Sequence, residues 1–398
     1  MPPLKSDRAQ RILAATKEPS AKSEMGKHPI VISGTKKMFE VYRLPISLLA
    51  FNIRNGRFAA ELKAKEREVG HLLDPLLGDD QETLRDLLLG LDRQASQLLK
   101  EDIKKVGQTD PGIITHDGFV INGNRRMAVL QDLHSEDSSG KYEYLEVQVL
   151  PPDVGQKDLW RIEAGLQLSR DKRLEYGPVN DLLKIREGLK SGLTPKEIAA
   201  TLYGVKDAEE VEEKERRLTL IENYLTYVGR AEEFTLVNGQ VEHFINLQTF
   251  LAYLKVQGVK GAAREKWLYA AFEMIRADMG HMDIRKLRGI YQSDTAGKHL
   301  LSSFTPKAGP RNPKDNAASR LKVTEGFKVA QEYVDLEADI QKPELLLNKA
   351  KRAIDTLLQH KEGVVNRPSL HKDVSNLASL MLLLDSDCKA QKRQKRAR

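Results

Sequence analysis

Between Gly118 and Leu130 the chain reads Gly-Phe-Val-Ile-Asn-Gly-Asn-Arg-Arg-Met-Ala-Val-Leu: a strand, a glycine turn, twin arginines and a helix start in immediate succession. Asp117-Gly118 is a turn signal, so Ile113–Thr115 and Phe119–Ile121 are predicted to form a hairpin. Gly123 then bends the chain where a Cβ would obstruct a ligand. From Asn124 the pattern becomes helical, with Met127, Leu130 and Leu133 at three-residue steps and Asn124 as the expected N-cap. Free N–H groups, the positive end of the helix dipole and two guanidiniums together predict an anion site, most naturally for a nucleotide phosphate. The alternative on the same residues is a helix that begins with two solvated arginines.

A chain of 398 residues is too long for one typical core and implies two or three domains. Lys and Arg outnumber Asp and Glu by 64 to 57, a net charge of +7 that permits nucleic-acid binding. The excess is concentrated: Lys389, Lys392, Arg393, Lys395, Arg396 and Arg398 make up six of the last ten residues, none of which is acidic. Such a tail is expected to be disordered and to meet DNA. Cys388 is the sole cysteine, which leaves no disulfide framework and no cysteine-based metal site. The apolar run Leu377–Leu384 is interrupted by Ser379 and far too short for a bilayer, and the N-terminus has no signal-peptide core. An intracellular, cytoplasmic protein without membrane partners is expected.

Residues 1–37, rich in Lys, Ser, Pro and Ala, read as a disordered leader. A strand is predicted over Phe39–Leu44, helices over Arg57–Val69 and Gln81–Lys105, then the hairpin, the helix from Asn124 and a strand over Tyr144–Leu150. Residues 38–152 are therefore a small mixed domain. Beyond Pro152 the pattern is helical, over Val154–Ser169 and from Pro178, a first-turn proline, to Leu189. Leu193–Val205 follows, with an N-cap threonine, a helix-starting proline and a glycine stop, as the first helix of a helix-turn-helix is commonly written. Residues 153–230 are expected to form that helical domain and 231–385 a helical C-terminal region with a loop near 305–316. The basic tail occupies 386–398, and the fold class is α+β.

Taken in order, Asn55-Gly56-Arg57-Phe58, Gly123-Asn124-Arg125-Arg126, the helix from Pro178 and Thr194–Val205 resemble the ParB-like proteins. In these a ParB/sulfiredoxin-type nucleotide-binding domain precedes a helix-turn-helix domain; the likeness covers residues 39–228. The family's phosphate motif, usually Gly-Glu/His-Arg-Arg, is matched by Gly123–Arg126 and its upstream Asn-x-Arg by Asn55 and Arg57. The resemblance implies a cytidine-nucleotide switch that closes a dimeric clamp on DNA, in partition or mobile-element maintenance in a bacterium, phage or plasmid, with association to the nucleoid. Asn55, Arg57, Gly123, Asn124, Arg125, Arg126, Gln167 and Arg170 would bind CTP or another nucleoside triphosphate with Mg2+. DNA and a second copy would be the partners, and the C-terminal helices would dimerise or recruit a protein.

Two departures narrow this. The family's third segment carries a Glu-Asn pair ahead of Gln-Arg; here Glu163-Ala164-Gly165-Leu166-Gln167-Leu168-Ser169-Arg170 keeps Gln167 and Arg170 but displaces Glu163. A general base must stand within about 3 Å of its water, so hydrolysis is expected to be weak or absent. After Val205, six of the twelve residues Lys206–Arg217 are acidic, which opposes base reading by a recognition helix. Two other readings stay open: a ParB-like nuclease or phosphotransfer enzyme with a metal near Asp158 and Glu163, and a nucleotide-sensing scaffold in a phage-defence or mobile-element system. No P-loop and no His-Glu-x-x-His motif occurs, His116 reads as a turn residue, and no metal site is expected. A sulfiredoxin-type reductase needs a cysteine where Asn124 stands.

Overall fold

The computed structural model describes residues 5–54, 56–137, 139–168, 177–202, 204–340 and 342–396. The elements run α1 (Lys5–Lys17), β1 (Lys22–Ile32), β2 (Thr35–Pro45), β3 (Ala50–Phe51), α2 (Ala59–Val69), α3 (Gly78–Gly90), α4 (Arg93–Val106), β4 (Gly112–Ile114), β5 (Phe119–Asn122), α5 (Asn124–Glu136) and β6 (Tyr144–Val149). Helices then continue alone: α6 (Gln156–Leu168), α7 (Pro178–Lys190), α8 (Pro195–Thr201), α9 (Ala208–Tyr227), α10 (Val241–Val256), α11 (Gly261–Arg276), α12 (His281–Gln292), α13 (Asp294–Ser303), α14 (Pro313–Ala338), α15 (Pro343–Gln359), α16 (Glu362–Val365) and α17 (His371–Arg396). The fold is α+β, a mixed sheet near the N-terminus followed by helices.

The six strands lie in the order β1-β2-β6-β4-β5-β3. β1–β2, β2–β6 and β4–β5 are antiparallel; β4–β6 and β3–β5 are parallel. Successive strand residues face opposite ways, and the core divides accordingly. Ile114, Val120, Leu145 and Val147 join Leu84, Ile103, Met127 and Leu130 from α3, α4 and α5 on one face. Ile30, Ile113, Ile121 and Leu150 meet Ile162 of α6 on the other. A third cluster, Trp160, Ile185, Leu193, Ile198 and Val211, joins α6, α7, α8 and α9.

By its contacts the chain divides into two compact units, Met1–Arg288 with Thr305–Thr324, and Gly289–Phe304 with Glu325–Arg398. The division falls near neither residue 152, where α6 shares one core with the sheet and another with α7, α8 and α9, nor residue 230, across which Tyr224 of α9 packs on Phe244 of α10. Within the first unit Tyr224 packs edge-on against Phe244 and Phe272, at 5.5 and 5.4 Å between ring centres. In the second, Ser293 caps α13 and donates its hydroxyl to Glu337 at 2.8 Å. No residue of α15 is buried, and the described side chains of α17, the free Cys388 among them, are exposed.

Three sequence expectations are corrected. Residues 5–32 are ordered helix and strand, not a leader: Ile12 of α1 is buried in the main core and β1 is zipped to β2 around a two-residue turn, Ser33-Gly34, with φ of 50° and 78°. The single helix over Gln81–Lys105 is two, because Asp92 takes an extended conformation and caps α4 through the Ala95 N–H at 2.9 Å. The basic end continues α17 through Arg396 instead of forming a disordered tail.

Candidate functional site

Gly123 adopts a left-handed conformation, φ 109°, at the junction of β5 and α5. A Cβ there would lie 3.4 Å from the Gly112 Cα. Gly123, and not Asn124, is the N-cap, and no side chain caps α5. Asn124 is instead a brace, 4% exposed: its Oδ1 accepts the Asn52 N–H at 3.1 Å and its Nδ2 donates to the Val120 carbonyl at 2.8 Å. Arg125 and Arg126 are half-buried, and Arg126 donates Nη1 to the Asp110 carbonyl.

The Asn124–Asn52 bond ties this helix start to the turn that follows β3. Asn52 Oδ1 in turn accepts the Arg54 N–H at 3.1 Å, and the Arg54 guanidinium donates to Gln156 Oε1 at 3.2 Å. Gly56 opens a short 3-10 turn, Gly56–Phe58, and gives its N–H to Glu163 Oε1 at 3.2 Å. The other Glu163 oxygen holds the Lys184 ammonium at 2.9 Å, which also meets Glu187 at 2.9 Å. Glu163 and Lys184 are 4% and 2% exposed, a nearly dry ion pair between α6 and α7. Burial pushes the Glu187 carboxyl up, against the pull of Lys184.

These segments enclose a cleft of about 470 Å³, within the ordinary size of small-molecule sites. Its walls are Asn52–Arg54, the β4–β5 turn at Thr115–Asp117, Phe119 and Ile121 of β5, Trp160 and Glu163 of α6, and Glu187 and Ser191 at the α7 side. Phe119 offers apolar surface, and Asp117 and Glu187 can accept hydrogen bonds. Arg8 of α1 fixes the β4–β5 turn, donating to the Asp117 and Leu48 carbonyls at 3.1 and 3.0 Å. Burial lowers the Arg8 pKa, partly offset by Asp117.

No protein-family model, curated protein or solved structure matches this chain.

Of the residues expected to hold a nucleotide, Gly123 and Asn124 stand beside the cleft, joined to it through Asn52. Arg125 and Arg126 sit on the same first turn without lining it. Asn55 and Arg170 lie outside the described residues, as do the side chains of Arg57 and Gln167. Lys389 is exposed and pairs with Asp385 at 2.5 Å; Arg398 and the side chains of Lys392, Arg393, Lys395 and Arg396 lie outside the described residues. Among the described residues no group of three or more His, Cys, Asp or Glu could hold a metal, and no helix is long and apolar enough to cross a membrane. Asp158, expected as a metal ligand in the enzyme reading, accepts from Ser33 and pairs with Arg161.

The helical segment after α7 has the anticipated local signals. Thr194 and Glu197 form a reciprocal capping box with Pro195 in the first turn, and Gly204 has φ 78°. The carboxylates of α9 are largely engaged: Glu215 and Glu222 pair with Arg186 of α7 at 2.6 Å each, Glu210 with Lys214 and Glu212 with Arg216. Sequence reasoning missed Trp160, Asn180, Lys184 and Glu187. The available signal was the spacing of Asn180, Lys184 and Glu187, which places a polar stripe on one face of α7.

Proposed function

We propose that the chain is a ParB-like, nucleotide-responsive DNA-binding protein in which a nucleoside triphosphate sits across the α5 N-terminus and the adjoining cleft. The observation that carries this reading is convergence: Asn52–Arg54 and Gly56, the Gly123–Asn124 junction and Glu163 of α6, far apart in sequence, are joined beside the cleft through Asn52–Asn124 and Gly56–Glu163. In this reading the first turn of α5, which no side chain caps, gives N–H donors to phosphates, and Arg125 and Arg126 turn to them from the partners they hold, the Asp110 carbonyl in the case of Arg126. The half-buried Phe119 ring suits a base.

Hydrolysis is weak in this reading, because both Glu163 oxygens are already engaged, by Gly56 and by Lys184. The exposed carboxylates Glu209, Glu212 and Glu213 on α9 argue for contact with the DNA backbone through the basic C-terminus rather than base reading by α9. Val374, Leu377, Met381 and Leu384 recur at alternating steps of three and four along exposed α17, a seam suited to a second copy. Isothermal titration with the four ribonucleoside triphosphates, with and without magnesium and duplex DNA, tests the reading. Saturable binding of one or more is expected; none at millimolar concentration would reject it.

A further inference from the structure

α7 stands between the cleft and α9, and it is bonded to both. On one face Asn180 accepts the Ala60 N–H at 3.0 Å and donates to Glu61 at 3.0 Å, while one turn later Lys184 holds Glu163 and, beyond it, Glu187. The segment from the cleft turn into α2 is thus bonded to α7 directly at Asn180 and, one turn later, through Glu163, which Gly56 and Lys184 share. Gly56 lies directly on the Lys184 stem: a Cβ added there would come within 2.6 Å of the lysine Cδ. The Trp160 indole donates to the Lys184 carbonyl at 3.1 Å, so the ammonium and the helix backbone beside it are held together. From the same helix, Arg186 reaches Glu215, Thr219 and Glu222 of α9.

We propose that α7 is a relay by which occupancy of the cleft reaches α9, with Lys184 as the positioning residue that keys the turn at Gly56 to the helix. The proposal rests on the reading of the cleft as a nucleotide site. A ligand that shifts the turn draws on Glu163 through the Gly56 N–H, and so either carries α7 along or pulls that carboxylate from the Lys184 ammonium in a nearly dry site. Leaving such charges unpaired out of water is strongly unfavourable, so the helix follows. Its movement is then passed to α9 through the Arg186 ion pairs and the shared Ile185, Ile198 and Val211 packing.

Backbone hydrogen exchange of the full chain, with and without each ribonucleoside triphosphate, tests this. In the wild type, a triphosphate that protects residues 123–126 should also change exchange in α9 by about fivefold or more, the ordinary size of allosteric coupling. In Lys184→Met, whatever protection remains at 123–126 should no longer be accompanied by a change in α9. Arg186→Met, which leaves every cleft residue in place, should lose the α9 response while keeping protection at 123–126. Undiminished coupling in both variants would overturn the relay, as would a wild type protected at 123–126 with α9 exchanging as before. A chain that no triphosphate protects anywhere would remove the nucleotide reading and the relay with it. If Lys184→Met loses its circular dichroism signal, Arg186→Met decides alone.

Discussion

The two hydrogen bonds of the buried Asn124 side chain hold the ends of β3 and β5 together where α5 begins. Asn124→Ala leaves the Asn52 N–H and one Val120 carbonyl bond unmade, and each such loss costs about 1–3 kcal/mol; urea unfolding should register a lower midpoint. For Arg125→Ala and Arg126→Ala the expected outcome is a loss of nucleotide affinity of about tenfold or more, from charge-assisted bonds worth roughly 1.5–3 kcal/mol. Calorimetric titration checks it. The hydrogen bond to Asp80 above all raises the pKa of His71, and the N–H of Asp74, a cleft residue, then His71, lower that of Asp80. A raised histidine stabilises fully below its ordinary value of 6.5 and loses that contribution as pH rises through its folded value; the depressed Asp80 stabilises above 3.8 and loses it on acidification. The stability difference between wild type and His71→Ala should therefore be largest between those limits and shrink toward alkaline pH.

Among the elements, those punctuated by local chemistry were legible. Asp117-Gly118 marked the β4–β5 turn, Pro178 the start of α7, and Thr194 with Pro195 that of α8. β1 was not, because Pro29 and Gly26 interrupt it and, as an edge strand, it buries only Ile30 and Ile32. The α3–α4 break was hidden because Leu84, Leu91 and Leu98 keep a helical period across it. At the site, the phosphate-like motif is local and could be read, whereas Lys184 gains its meaning from a buried ion pair with Glu163 that forms only when α6 and α7 meet. That junction gives its own prediction. Gly56→Ala pushes a methyl into the Lys184 stem; overpacking of this kind costs about 1–3 kcal/mol, visible as a lower melting temperature.

At the scale of the whole molecule, the two units offer separate experiments. Deleting residues 389–398 should weaken binding equally on unrelated duplexes and flatten the salt dependence by about 0.9 for each phosphate no longer neutralised; an unchanged slope would remove the basic end from the DNA interface. Replacing Leu377 and Met381 together by Asp places charge in the exposed seam of α17. If a second copy covers that seam, sedimentation should report a dimer for the wild type and a monomer for this variant, with the helical signal of the first unit retained.

The solitary thiol of Cys388 is a ready-made chemical handle. It continues the Val374, Leu377, Met381, Leu384 succession by one further step of four and stands exposed near the end of α17. A spin label attached there marks each chain once, without engineering. If two α17 helices lie parallel and in register, the labelled backbones stand about 8–10 Å apart, the spacing of packed helices. If they run antiparallel about the centre of the leucine-rich stretch, the labels are offset along the axis at about 1.5 Å per residue, so a single distance reads the orientation of the pair.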